Sequence, residues 1–164
     1  MITRNSFVSP LIVLCLMSCA TGIQNVSYTN YLEEPYIYRL QLNSVKVTVD
    51  YVNESAIAGQ ISVIAETYLS EKQNNDVEAD KILMVDIILT QRTFMYNIDL
   101  YNTIYVTANA HDESGAVFSR ESAYISGKKT IVSAMEQNKI LRKLLGGMIK
   151  NQQNRNRETL RVRK

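Results

Sequence analysis

The feature that most narrows the fold is a change of hydrophobic period between Val45 and Leu89. Over residues 45–52 the chain alternates, with Val45, Val47, Val49 and Tyr51 on one face and Lys46, Thr48 and Asp50 on the other. A period of two with β-branched residues is the pattern of a half-buried strand. Asn53-Glu54-Ser55 follows with helix N-cap chemistry. Ile57, Ile61, Ile64 and Tyr68 then recur at helical spacing, and Ala58, Ala65 and Leu69 widen the stripe. Gly59 weakens this helix without forbidding it. Beyond a polar turn at residues 71–76, residues 82–89 form an apolar run bounded by polar residues. Leu83, Val85, Ile87 and Leu89 face one side of it, and Met84, Asp86, Ile88 and Thr90 the other. Strand, helix, strand predicts a right-handed crossover that sets two strands parallel in one sheet.

Residues 103–110 alternate again, with Ile104, Val106 and Ala108 inward. His111-Asp112-Glu113-Ser114-Gly115 is a turn signal, and residues 116–125 read as the returning strand of a hairpin, closed by Ser126-Gly127. Ser133 and Glu136 stand in capping-box spacing before a last helix. Ile140, Leu141, Leu144, Leu145, Met148 and Ile149 give that helix an apolar face, and Gly146-Gly147 marks a weak point or an early end. The fold class expected is α+β: a small mixed sheet of three to five strands in β-α-β-β-β-α order, with two helices packed on one face. A length of 164 residues suits one domain and not two, and 46% hydrophobic against 21% charged residues excludes a disordered chain. The division expected is 1–18 signal peptide, 19–35 lipidated cysteine and tether, 36–150 a single α+β domain, and 151–164 a basic disordered tail.

At the amino terminus, Arg4 supplies positive charge and residues 7–17 form an apolar stretch of 11 residues, broken by Ser9 and Pro10. That is the size of a signal-peptide core and too short to span a bilayer, which takes about 20 apolar residues. The stretch ends in Leu16-Met17-Ser18-Cys19, which resembles the lipobox of bacterial lipoproteins. The resemblance implies cleavage before Cys19 and a diacylglyceryl cysteine there, with palmitate-type acyl chains anchoring a mature chain of residues 19–164. Several acyl chains together anchor stably where one is marginal. Cys15 would leave with the signal peptide and Cys19 would be alkylated, so the mature domain would hold no free thiol and no disulfide. Ala20, not Asp, follows the cysteine; in such families that tilts placement toward the outer membrane. The localisation expected is the bacterial cell envelope: lipid-anchored in the outer membrane, in the periplasmic or the surface-facing leaflet.

Charge is divided along the chain. Residues 19–125 carry six Lys/Arg and 14 Asp/Glu, a net −8, whereas residues 126–164 carry 11 Lys/Arg and two Glu, a net +9. A basic amphipathic helix with a basic tail can meet an anionic surface or an acidic partner. Secretion through a signal peptide argues against nucleic acid. Arg155, Arg157, Arg161, Arg163 and Lys164 are the candidate anionic-surface contacts; the alternative is the solvated back of a core helix. Tyrosines also cluster, with Tyr28, Tyr31, Tyr36 and Tyr38 around Glu33-Glu34-Pro35. Tyr36 and Tyr38 either form a contact surface or pack their rings onto the core edge. Phe94, Tyr96 and Tyr101 either line a recognition edge on a loop between two strands or close the end of the sheet.

Catalytic chemistry finds little purchase. His111 is the one histidine, and beside Asp112 and Glu113 it reads as an exposed turn residue before it reads as a metal ligand. Asp76, Glu78 and Asp80 alternate like part of a calcium loop but lack its glycine and terminal glutamate. Asp86 in its apolar strand is either a buried acid or a residue of the open sheet face. No P-loop, GxGxxG, GxSxG or HExxH motif occurs. The expectation is no enzyme, no catalytic residue, no metal and no cofactor. The order of elements over residues 45–150 is loosely similar to that of the lipopolysaccharide-assembly lipoprotein and of auxiliary lipoproteins of envelope ABC transporters. That likeness implies a non-catalytic accessory or adaptor subunit of an envelope assembly or transport complex. It would be held to the bilayer through acylated Cys19 and docked on a larger envelope membrane protein. The alternative is a free-standing ligand-binding or surface-exposed, host-facing lipoprotein.

Overall fold

The computed structural model describes residues 24–29, 36–50, 53–73, 78–96, 99–127 and 134–163. The signal segment, the lipobox with Cys19, and Lys164 lie outside the described residues. The elements run β1 (Gln24–Thr29), β2 (Tyr38–Val49), α1 (Glu54–Lys72), β3 (Lys81–Tyr96), β4 (Asp99–His111), β5 (Val117–Gly127) and α2 (Ala134–Val162). One five-stranded sheet takes the order β1-β5-β4-β3-β2. β2 and β3 are parallel across the α1 crossover, and every other pair is antiparallel. This is an α+β fold with both helices on one face of a mixed sheet, in the β-α-β-β-β-α order the periods predict, preceded by one further strand.

The period of two does the sorting. Leu83, Val85, Ile87 and Leu89 of β3 are at most 1% exposed, as are Val106, Ala108 and Ala110 of β4, with Ile104 at 2%. They face Ile57, Ile61, Ala65 and Leu69 of α1 and Ile140, Leu141, Leu144, Leu145, Met148 and Ile149 of α2 in one cluster. Each fully buried large aliphatic side chain contributes about 1.5–3 kcal/mol through the water-exposed area it removes, so this layer carries the fold. Asn53 caps α1 by accepting from the Ala56 N–H at 3.2 Å. The Glu54 Oε1 accepts from the Val49 N–H at 3.1 Å, which ties the end of β2 to the start of α1.

Three expectations are corrected. Residues 24–29, read as tether, form an edge strand on β5. Backbone pairing asks little of polar side chains, and Val, Tyr and Thr in QNVSYT favour extended backbone. The region of Phe94, Tyr96 and Tyr101 is not a loop, because β3 runs to Tyr96 and β4 starts at Asp99, with Phe94 paired to Tyr101. Aromatic and β-branched residues there sustain the strands past the last apolar position. The third correction is the carboxyl-terminal segment. Residues 151–162 are helical, continuing α2 without a break at Gly146-Gly147.

The cause of that continuation is a row of polar side chains at helical spacing. The Asn156 Nδ2 donates to the Tyr38 carbonyl at 2.8 Å, and its Oδ1 accepts from the Tyr38 N–H at 2.9 Å. The Gln152 Nε2 donates to the same carbonyl, and the Thr159 hydroxyl to the Tyr36 carbonyl at 3.4 Å. Arg163 closes the row with a paired contact to Asp80, 2.7 Å at the shorter. At the C-cap of α1, Gln73 repeats the device on Leu40, its Oε1 accepting from the N–H at 2.6 Å and its Nε2 donating to the carbonyl at 2.8 Å. Side-chain amides thus satisfy the edge backbone at Tyr38 and Leu40, where an unpaired edge would otherwise invite another strand. The two glycines allow the approach of α2. A Cβ on Gly147 would sit 2.9 Å from the Glu121 Cδ, and one on Gly146 would sit 3.3 Å from the Tyr68 hydroxyl.

Candidate functional site

Both described helices cover one face, and among the described residues no other element lies over the opposite face of the sheet. Register places Met84, Asp86, Ile88, Thr90, Arg92 and Phe94 of β3 there, opposite His111, Asn109, Thr107, Tyr105, Thr103 and Tyr101 of β4. Arg120, Ser122 and Tyr124 of β5 extend these rows. The face divides into a polar end near the β4–β5 turn and an aromatic end near the β3–β4 hairpin.

At the polar end, Asp86 and His111 form a pair. The His111 Nδ1–H donates to the Asp112 carbonyl at 2.9 Å, and Nε2 lies 2.8 Å from the Asp86 Oδ2. A carbonyl oxygen and a carboxylate both only accept, so this setting favours the doubly protonated ring. The pKa of His111 is raised accordingly, first by the Asp112 carbonyl, against some desolvation, and then by Asp86. Desolvation pushes the Asp86 carboxyl upward, but hydrogen bonds from Ser44 at 2.6 Å, Asn43 at 2.9 Å and His111 outweigh it and hold it below the usual range. Asp112 shapes the turn that presents the ring: its Oδ1 accepts from the Ser114 hydroxyl and from the Ser114 and Ala116 N–H groups. Gly115 completes that turn at φ 85°, a conformation open to glycine at little cost. Both His111 nitrogens are thus engaged within the protein. The Arg120 Nε donates to the Asn109 Oδ1 at 2.7 Å beside the pair.

The aromatic end is more open to solvent. Tyr105 is 54% exposed and packs on Tyr124 with ring centres 4.9 Å apart. Phe94 is 48% exposed and stacks on Tyr101 at 5.9 Å and 20°. Ile88 adds exposed apolar surface to this face. Rigid aromatic rings on regular strands present contact area with little entropy to lose on binding. Beneath the hairpin, on the inner side, Gln91 and Asn102 are buried, and the Thr93 hydroxyl donates to the Asn102 Oδ1 at 2.8 Å.

The residues singled out in the sequence separate into groups. Phe94 and Tyr101 are brought together on the open face; the Tyr96 side chain lies outside the described residues. Tyr38 is 2% exposed, packed on Phe118 at 5.4 Å, and belongs to the core and not to a contact surface. Tyr36 packs edge-on against Tyr38, and the Lys81 ammonium sits 3.8 Å from the Tyr36 ring centre. Arg163 pairs with Asp80, whose carboxyl is held low first by that guanidinium and then by the Ile37 N–H. Arg155 has a side chain only 17% exposed, 3.9 Å from Glu158. Arg157 and Arg161 remain exposed on α2. Sequence reasoning missed Gln73, Gln152 and Asn156; their signal was the apolar stripes of α1 (Ile57, Ile61, Ala65, Leu69) and α2 continuing, at the same spacing, as amides.

A surface cleft of about 510 Å³ opens between the start of β3 and the β4–β5 turn, lined by Asp80, Lys81, Ile82, Asp112, Glu113 and Ser114. Asp80 and Asp112 there already accept hydrogen bonds from the chain. Among the described residues, no group of three His, Cys, Asp or Glu is placed to hold a metal ion, and no helix is long and apolar enough to cross a membrane.

The class this architecture defines is an α+β domain with a two-helix layer on one face of an open mixed sheet. No family model matches the chain, and no curated protein matches it. Among solved structures, the chain is similar to the PelC dodecamer from Paraburkholderia phytofirmans, with 13% identity and a TM-score of 0.45 over 76% of this chain and 96% of that one. A PelC variant from the same organism gives 14% identity and a TM-score of 0.44 over 76% and 95%.

Proposed function

We propose that this protein is a lipid-anchored bacterial envelope lipoprotein acting as a non-catalytic accessory or adaptor subunit, whose open sheet face docks on a larger membrane protein. The observation that carries the reading is the row Phe94, Tyr101, Tyr105 and Tyr124 on the face opposite the two described helices. Exposed aromatic clusters on a rigid scaffold are typical of surfaces that meet a partner. The Leu16-Met17-Ser18-Cys19 sequence supports the anchor. The polar end, with Asp86 and His111 tied to one another, supports positioning and not catalysis.

The test is a crosslinked, mild-detergent pull-down of the native protein, with co-purifying proteins identified by mass spectrometry. A stoichiometric membrane protein is expected with wild type and is lost with Phe94→Ser/Tyr105→Ser, while the melting temperature stays near wild type. Recovery of the protein alone would move the reading to a free-standing ligand-binding or surface lipoprotein. For the anchor, Cys19→Ala is expected to accumulate as an unprocessed precursor. Normal processing and membrane retention of that variant would overturn the lipid-anchor reading.

A further inference from the structure

The long helix α2 arranges the basic residues in a way that linear charge counting does not reveal. Lys139, Lys143, Lys150, Arg157 and Arg161 recur at spacings of four and seven residues, which on an α-helix is one side, and Arg142 flanks this row one turn beyond Lys139. All six are exposed, and the opposite side of the helix is the buried seam from Ile140 to Ile149. At 1.5 Å per residue the ridge from Lys139 to Arg161 is about 33 Å long. The one carboxylate between Gln137 and Arg163 is Glu158, off the ridge and 3.9 Å from Arg155. Arg155 and Arg163, grouped with the anionic-surface contacts by sequence, turn instead to Glu158 and Asp80.

A merely solvated helix face mixes charges of both signs. Here Arg157 and Arg161 are like charges four residues apart, a spacing that repels within the helix. We infer that this ridge lies along the surface of a bilayer containing anionic phospholipid, beside the point where the chain is anchored. The inference rests on the proposed acylation of Cys19. Gln24, the first residue of β1, is five residues beyond Cys19, a reach of at most about 17 Å. β1 pairs with β5, and α2 packs over β5 and reaches β1, so the anchor holds the helix layer close to the lipid surface. A straight row of cations matches a plane of phosphates. The apolar seam of α2 is occupied by the core, so the contact is made by charge without insertion, and salt weakens it.

The experiment uses the native protein purified from membranes, with vesicles of phosphatidylcholine alone or mixed with phosphatidylglycerol. A soluble amine-acylating reagent and peptide mapping report the labelling rates of Lys139, Lys143 and Lys150, with Lys46, exposed on β2, as the internal control. Phosphatidylglycerol is expected to slow the ridge lysines about fivefold or more, the usual strength of a single cation at an anionic surface, and to leave Lys46 unchanged. Molar salt is expected to restore the rates. Arg142→Gln/Arg157→Gln/Arg161→Gln, checked for an unchanged melting curve, is expected to lose most of the protection. Equal rates in both vesicle types, or protection that persists in molar salt, would overturn the inference, as would protection that needs added envelope proteins, which points to an acidic protein partner. Flotation separates the two readings. Binding to both vesicle types with no lipid-dependent protection leaves the anchor and removes the ridge. Binding only with phosphatidylglycerol, with the lysines protected, leaves the ridge and removes the anchor. Binding to neither removes both.

Discussion

Gly147 and Gly59 are both helix-interior glycines, yet alanine should act on them with opposite sign. A glycine to alanine change inside a helix gains about 1 kcal/mol from backbone entropy alone. Gly59 lies on α1 with no atom of the described residues within 4 Å of the position a Cβ would take, so that gain should be realised in full. For a chain of this size it raises Tm by about 2–4 °C. Gly147 lies on α2, and its Cβ would stand 2.9 Å from Cδ and 3.0 and 3.1 Å from the two oxygens of Glu121. Glu121 cannot swing clear at low cost. It is 2% exposed, its β5 position is fixed opposite Ala108, and its Oε1 accepts from Asn151 at 3.3 Å. Crowding a packed interior costs about 1–3 kcal/mol, and disturbing a buried hydrogen-bonded carboxylate adds to that. The net effect of Gly147→Ala is therefore a loss of about 1–2 kcal/mol. Urea and thermal unfolding followed by circular dichroism measure it directly. In a Glu121→Ala background the methyl has room, and Gly147→Ala should revert to a gain of about 1 kcal/mol, a coupling of about 2–3 kcal/mol between the two sites. If Gly147→Ala stabilises the otherwise wild-type protein as Gly59→Ala does, the account of why α2 carries a glycine there is wrong.

Two further predictions follow from the polar contacts. The Asp86–His111 pair is worth about 0.5–1 kcal/mol for two partly exposed groups. The His111 pKa is raised, so its contribution is complete below about pH 6.5 and fades as pH climbs through the raised value. The Asp86 pKa is lowered, so its contribution holds above the ordinary value of 3.8 and fades as pH falls through the lowered one. Melts across that range should show His111→Gln flattening the loss on the alkaline side; an unchanged profile refutes the pairing. The edge clamp predicts that Asn156→Ala costs about 1–2 kcal/mol, by leaving the Tyr38 N–H without its acceptor, and that Gln73→Ala costs at least as much at Leu40. Hydrogen exchange should speed at Tyr38 in the first variant and at Leu40 in the second, and protection unchanged at both would refute the clamp.

The core was legible in the sequence because a sheet buried on one face writes itself as alternation. Leu83 to Leu89 and Ile104 to Ala108 faced inward as their parity required, and Asn53 capped α1 as its side chain allows. The same parity sends Asp86 to the open face, where Ser44 and His111 meet it. What did not carry a local signal was long-range. The tail read as disordered because its composition is polar, yet Gln152, Asn156 and Thr159 bond the backbone at Tyr36 and Tyr38, more than a hundred residues away in sequence. Hydropathy cannot score an amide that replaces a strand partner. Gly146-Gly147 read as a break for the related reason that the need for a missing Cβ lies in Glu121 and Tyr68, on other elements. Tyr38 looked like its tyrosine neighbours until Phe118, the residue at the irregularity of β5, closed over it.

The edge clamp also bears on how a partner would engage the domain. Strand addition needs a row of free backbone groups on a sheet edge. On β2 the groups of Tyr38 and Leu40 are taken by Asn156 and Gln73, and the Val49 N–H by Glu54. The opposite edge is β1, a strand of six residues, and on the proposed reading it emerges directly from the anchor. Binding through backbone pairing is thus disfavoured on one edge by side chains and on the other by the nearby lipid. What remains for a protein partner is the side-chain surface of the open sheet face, where Phe94 and Tyr105 stand exposed on the side away from α2. The ridge of α2 and the aromatic rows then lie on opposite layers of the domain. A contact with lipid on one layer leaves the other free for protein, so each can be altered without the other: charge removal on α2 should spare partner recovery, and Phe94→Ser/Tyr105→Ser should spare the lipid-dependent protection of Lys139 and Lys150.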